Sequence, residues 1–147
     1  MVKSIDEIMS EKPETIVAFV SAQEAAKKMR DNNVSSLIVS DINNEPIGIV
    51  TERDLVRRVC AKDANSSTVL IKDIMSSPLV TVDSKSSVQV AANIMVQNKI
   101  RHLLVVDNND MSRPLGIITD TDFGSYLKQN LDMDDVNAKI LQSLKEE

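Results

Sequence analysis

Two short segments hold the residues best suited to ligand chemistry: Gly48-Ile49-Val50-Thr51-Glu52-Arg53-Asp54 and Gly116-Ile117-Ile118-Thr119-Asp120-Thr121-Asp122. In each, an apolar run of strand character ends at a threonine and a helical pattern begins. The first N–H groups of a helix have no partner within it and carry the positive end of its dipole, so that end attracts anions. A threonine hydroxyl there can donate to a phosphate oxygen. A carboxylate one turn on can accept from the two vicinal hydroxyls of a ribose. A ligand carrying both ribose and phosphate meets both demands. The same Thr-x-x-Asp spacing is also a capping box, worth about 1 kcal/mol with no ligand at all. Local chemistry leaves both readings open.

The elements that must position these residues come from an internal repeat, the pattern to seek first because it dictates architecture. Ile5-Asp6-Glu7-Ile8-Met9-Ser10 returns as Ile71-Lys72-Asp73-Ile74-Met75-Ser76, an offset of 75 − 9 = 66. The same offset aligns Ala25-Ala26 with Ala91-Ala92, Met29 with Met95 and Leu37-Ile38-Val39 with Leu103-Leu104-Val105. Two extra residues enter a polar loop at Asn108-Asn109-Asp110-Met111-Ser112-Arg113. Beyond it Pro46-Ile47-Gly48-Ile49-Val50-Thr51 matches Pro114-Leu115-Gly116-Ile117-Ile118-Thr119, an offset of 116 − 48 = 68.

Each copy therefore has the same order of elements. A short apolar segment (15–20; 80–82) precedes a helix predicted over 22–33 and 88–98. Ser21, with Glu24 three residues on, predicts a capping box at the first of these. Apolar strands follow at 37–39 and 103–106, then second strands at 47–51 and 115–119, then helices over 52–60 and 120–129. The copies span residues 1–62 and 69–130, joined by a polar linker at 63–68. Residues 131–147 predict an amphipathic helix, with Val136, Ile140, Leu141 and Leu144 on one face and packing on the body as the expectation.

Composition narrows the partners. Aromatic residues are 2% of the 147, so the core is aliphatic and base stacking has almost no platform. The net charge of −5 argues against nucleic acid and anionic membranes, and leaves phosphate only a local basic pocket. Cys60 is the only cysteine, which excludes a disulfide framework and a cysteine-based zinc site within one chain. No apolar run reaches membrane-spanning length and no signal-peptide core is present, so a cytoplasmic protein is expected. No Ser/His/Asp set, metal-ligand cluster or Walker-type loop offers a nucleophile or general base, so no enzyme is expected. His102, the only histidine, is open between solvated strand residue and phosphate contact. The methionines read as adaptable core filler.

The tandem pattern, closed each time by Pro-hydrophobic-Gly-hydrophobic-hydrophobic-Thr-x-x-Asp, resembles the cystathionine β-synthase (CBS) domain, paired as a Bateman module. The resemblance covers residues 5–129. It implies an α/β (α+β) fold in which two β-α-β-β-α units pair through their sheets about a pseudo-twofold axis. It further implies a cleft for up to two adenosyl ligands: AMP, ADP or ATP, or alternatively S-adenosylmethionine. Thr51 and Thr119 would then contact phosphate, and Asp54 and Asp122 would hold ribose. Adenine would lie against Ile16 and Ile47 in one site and Val82 and Leu115 in the other. Ser35-Ser36 of one copy and Arg101-His102 of the other would reach across to phosphates held by the opposite copy. On that basis the Thr51/Asp54 site is expected to be the stronger. The implied role is a stand-alone energy sensor that forms a homodimer and acts on a separate regulated protein. The alternative is a dimerisation or protein-interaction module with no bound nucleotide.

Overall fold

The computed structural model describes residues 4–11, 13–130 and 133–145. The chain starts with a 3-10 turn (Ile5–Glu7) and then forms β1 (Ser10–Glu11), β2 (Thr15–Val17), α1 (Ala22–Asn32), β3 (Ser36–Ser40) and β4 (Pro46–Thr51). Helix α2 (Glu52–Leu55) continues as a π-helical turn over Val56–Cys60. The second copy supplies α3 (Ile71–Ile74), β5 (Thr81–Asp83), α4 (Val88–Asn98), β6 (His102–Asp107), β7 (Asp110–Thr119) and α5 (Asp120–Asn130), and α6 (Met133–Lys145) follows. This is the expected α/β (α+β) duplication.

The two sheets are built alike. In one, β2 runs parallel to β3 and β3 antiparallel to β4; in the other, β5, β6 and β7 repeat that order, with β1 added on the far side of β7. Side chains alternate along a strand, so each sheet has two distinct faces. Leu37, Val39 and Val50 face α1, where they bury Ala22, Ala25 and Met29. Leu103, Val105 and Ile118 do the same with Ala91 and Met95 of α4. The opposite faces meet each other: Ile38, Leu104 and Val106 are buried in that seam, with Ile49, Leu79 and Ile117 packed around them.

The repeats exchange their opening segments. Ile71 and Ile74, which begin copy two, are buried in the core of copy one. Ile5, which begins copy one, is fully buried in the core of copy two. The crossing is pinned where Ile49 and Ser76 exchange backbone hydrogen bonds of 3.0 and 2.8 Å. It also explains two of the glycines. A Cβ on Gly48 would lie 2.7 Å from the Ser76 carbonyl oxygen, and one on Gly116 would lie 2.5 Å from that of Ser10. Neither glycine has positive φ, so close backbone approach is what requires them.

Several expectations are corrected. Asp110–Arg113 belong to β7 rather than to a loop, because Asn108 and Asn109 at φ 53 and 59° close a tight two-residue hairpin. The two extra residues of copy two thus lengthen a hairpin. Ser21 caps α1 by accepting from the Glu24 N–H at 3.2 Å, but the reciprocal arm is missing: the Glu24 carboxylate lies 3.8 Å from Lys27 instead. Helix α6 forms, yet Ile140, Leu141 and Leu144 are 53, 59 and 62% exposed, so this stripe does not pack on the body. The Val136 side chain lies outside the described residues.

Candidate functional site

Both Thr-x-x-Asp segments fold as the capping boxes their spacing allows. At the first, the Thr51 N–H donates to the Asp54 carboxylate at 2.9 Å, and the Asp54 N–H donates to the Thr51 hydroxyl at 3.2 Å. At the second, the Thr119 N–H donates to Asp122 at 2.9 Å and the Asp122 N–H to the Thr119 hydroxyl at 3.3 Å. The helix starts are less open to anions than an isolated helix would be. The Glu52 N–H donates to the Ser35 carbonyl and the Asp120 N–H to that of Arg101. The Thr121 N–H donates to the Asp120 carboxylate at 3.0 Å, so the second cap offers an anion less than the first.

Asp54 is the more tightly held carboxylate. It is 6% exposed, and besides Thr51 it accepts from the Ser76 hydroxyl at 3.5 Å and faces Arg58 at 3.8 Å. Ser76 comes from the exchanged segment, so copy two braces the cap of copy one. Asp122 is only partly buried and stands in a different setting. Tyr126 occupies the place of Arg58, since 126 − 58 = 68.

Two clefts open where the caps meet the heads of the central strands. The first, about 550 Å³, brings Thr51 and Asp54 together with Arg101 and His102 of copy two. The second, about 580 Å³, brings Thr119 and Asp122 together with Ser35 and Ser36 of copy one. The reciprocal arrangement follows from pairing β3 with β4 and β6 with β7, which puts Ser36 opposite Thr51 and His102 opposite Thr119. At the axis, the Ser35 hydroxyl and His102 Nε2 lie 3.4 Å apart, and Ser35 lines both clefts. Burial pushes the His102 imidazole below its ordinary 6.5, opposed by the carboxylates of Asp120 and Asp54, so the unliganded ring is neutral near neutrality.

The four apolar positions tied to adenine lie elsewhere. Ile16 and Ile47 pack on the first core, Val82 is buried in the second, and Leu115 is 38% exposed. The cause is strand geometry. Ile16 and Val82 pair with Val39 and Val105, which face the helices. Ile47 and Leu115 are the extra residues at bulges, where Ser40 pairs with Pro46 and Val106 with Pro114. The apolar walls come instead from Ile49, Leu79, Val80 and Ile100 in the first cleft and from Ile117, Pro13 and Val34 in the second.

Sequence reasoning also missed much of the first cleft's charge. Arg57, Arg58 and Lys99 join Arg53 and Arg101 there, against Glu52, Asp54 and Asp120. In the second cleft, among the described residues, Arg30 is the one cation facing Glu14, Glu52 and Asp122, and Arg30 is paired with Asp31 at 2.8 Å. The signal for Arg57 and Arg58 was their place one helical turn beyond Asp54. For Lys99 it was the repeat offset, 99 − 33 = 66, which sets it opposite Asn33.

The CBS-domain profile matches residues 3–61 and 71–128. This chain belongs to the CBS-domain family. An uncharacterized protein of Methanopyrus kandleri is 41% identical over 99 residues, which cover 67% of this chain and 50% of that protein. The chain thus spans about half the length of that relative. A CBS-domain protein of unknown function from Thermoplasma acidophilum has the same fold, with TM-score 0.77, 26% identity and coverage of 96% of this chain and 76% of that one. A CBS-domain protein from Pyrobaculum aerophilum, solved in complex with AMP, aligns with TM-score 0.71 and 27% identity over 81% of this chain and 88% of its own. Among the described residues no helix is long and apolar enough to cross a membrane, and no cluster of three or more His, Cys, Asp or Glu is placed to hold a metal ion.

Proposed function

We propose that this CBS pair is a regulatory module that binds an adenosine nucleotide, chiefly in the Thr51/Asp54 cleft, and signals its occupancy to a separate protein. The observation that carries the reading is the meeting of a Thr51–Asp54 cap from one repeat with Arg101 and His102 from the other in one cavity. Its volume falls within the range of small-molecule sites, about 300–1,000 Å³. The AMP held by the Pyrobaculum relative supports the ligand class. In this reading Thr51, Arg101 and His102 bind phosphate, Asp54 binds ribose, and Ile49 with Leu79 and Val80 forms the wall for adenine.

A ligand so placed touches both repeats and favours whichever mutual arrangement brings those groups closest, the only way binding shifts a conformational equilibrium. The Thr119/Asp122 cleft, with Ser35 and Ser36 in place of the cationic pair, is the weaker site. A second reading, a dimerisation module with no nucleotide, draws on the exposed Leu127, Ile140, Leu141 and Leu144. Homodimer formation is compatible with both.

A thermal-shift screen with AMP, ADP, ATP, S-adenosylmethionine and NAD separates them. A ligand at a hundred times its Kd adds about 2.7 kcal/mol, which raises Tm by roughly 5–10 °C for a chain of this size. A shift with AMP, ADP or ATP supports the nucleotide reading. No shift with any adenosyl compound leaves the dimerisation module.

A further inference from the structure

We infer that the Thr51/Asp54 cleft selects its nucleotide by the number of phosphates, with Arg53, Arg57 and Lys99 receiving those beyond the first. This rests on the nucleotide reading above and goes beyond it by ranking the ligands.

The cations of the cleft fall into two groups. Arg58 is committed to the protein: its Nη1 donates to the carbonyls of Ile74 and Met75 at 2.9 and 3.1 Å, and its Nε faces Asp54. Arg101 lies 3.9 Å from Asp120. The side chains of Arg53, Arg57 and Lys99 make no hydrogen bond or ion pair among the described residues. Arg53 and Arg57 stand four residues apart on one helical segment, where like charges repel each other. Along a helix four residues advance about 6 Å, more than one phosphate group covers. On that spacing Arg57, about one turn further from Thr51 than Arg53, is assigned to the phosphates beyond the first.

Lys99 adds a separate argument. It ends α4 in the left-handed region at φ 55°, where Asn33 ends α1 at φ 53°. Asparagine suits that conformation and lysine does not. A residue poorly fitted to its backbone, at the mouth of a cleft where two other cations lack partners, is placed for what its side chain binds. The places that match Arg53, Arg57 and Lys99 in the repeat hold Thr121, Ser125 and Asn33, of which Thr121 and Asn33 line the second cleft, so none of the three cations has a charged counterpart there.

The test is calorimetric titration of the full chain with AMP, ADP and ATP in EDTA buffer, repeated on the R57A/K99A double variant. Both residues are exposed, and a thermal melt without ligand checks the fold. The expected order is ATP tighter than ADP tighter than AMP, about 2- to 5-fold per phosphate. In the variant the ratio of AMP to ATP Kd should fall toward one. Equal affinity for AMP and ATP in the unaltered chain overturns the inference while leaving nucleotide binding intact. A ratio unchanged in R57A/K99A overturns the assignment to these side chains. Binding of none of the three overturns the nucleotide reading itself.

Discussion

Asp54→Ala and Asp122→Ala are the same substitution at matched positions, and the surroundings of the two carboxylates make their outcomes unequal. Asp54 accepts from the Thr51 N–H at 2.9 Å, the Thr51 hydroxyl at 3.2 Å and the Ser76 hydroxyl at 3.5 Å, and it is 6% exposed. Alanine leaves the Thr51 N–H without its acceptor and removes the contact to the exchanged segment. The Thr51 hydroxyl still accepts from the residue-54 N–H, so half of the cap survives. Hydrogen bonds to a charged group contribute about 1.5–3 kcal/mol and a cap about 1 kcal/mol. The expected loss for Asp54→Ala is therefore about 2–3 kcal/mol. Asp122 is partly exposed and, among the described residues, is held by Thr119, at 2.9 and 3.2 Å, so its loss is about 1 kcal/mol. Urea unfolding followed by circular dichroism measures both. Titration with AMP gives the second readout: Asp54→Ala weakens binding by about 10- to 100-fold, and Asp122→Ala by less than about 3-fold. If Asp122→Ala costs as much stability, or as much AMP affinity, as Asp54→Ala, the account of unequal caps and clefts is wrong.

The glycines provide a graded series. Gly48→Ala and Gly116→Ala drive a methyl group into backbone oxygens at 2.7 and 2.5 Å and lower stability by about 1–3 kcal/mol, whereas Gly124→Ala meets nothing within 4 Å inside α5 and raises it by about 0.5–1 kcal/mol. Denaturant midpoints of the three variants test the order. His102 titrates below its ordinary 6.5 because its partial burial disfavours the charged ring, so the folded state binds fewer protons than the unfolded one. Stability without ligand therefore rises with pH up to that value, and His102→Gln flattens the rise; a thermal melt series across pH shows it. A phosphate beside the ring favours its charged form, so AMP affinity should strengthen from about pH 8 to about pH 6.5, a trend that His102→Gln should abolish. Ile71→Ala empties a fully buried place in the core of the other repeat and costs about 2–5 kcal/mol, read by chemical denaturation.

The duplication, the order of elements and the capping pairs were legible in the sequence because each depends on local spacing. The repeat placed a helix at about 88–98, where α4 spans Val88–Asn98, and the Pro-x-Gly-x-x-Thr runs located the ends of β4 and β7. The cross-repeat placement of Arg101-His102 and Ser35-Ser36 came from the resemblance, not from local pattern.

What the sequence alone determined was thus a repeat with a helix cap at each copy's end and a charge difference between copies. Only the tertiary structure decided which face each apolar residue occupies: the bulges at Val39/Ser40 and Val105/Val106 make Ile47 and Leu115 the unpaired extra residues, and Ile49 and Ile117 line the clefts instead. It also decided the exchange of opening segments, because Ile5 and Ile71 gain burial only in the core of the opposite repeat. The gathering of Arg53, Arg57, Lys99 and Arg101 in one cavity depends on the same pairing. Residues nearly fifty positions apart share a field only after the two sheets have met.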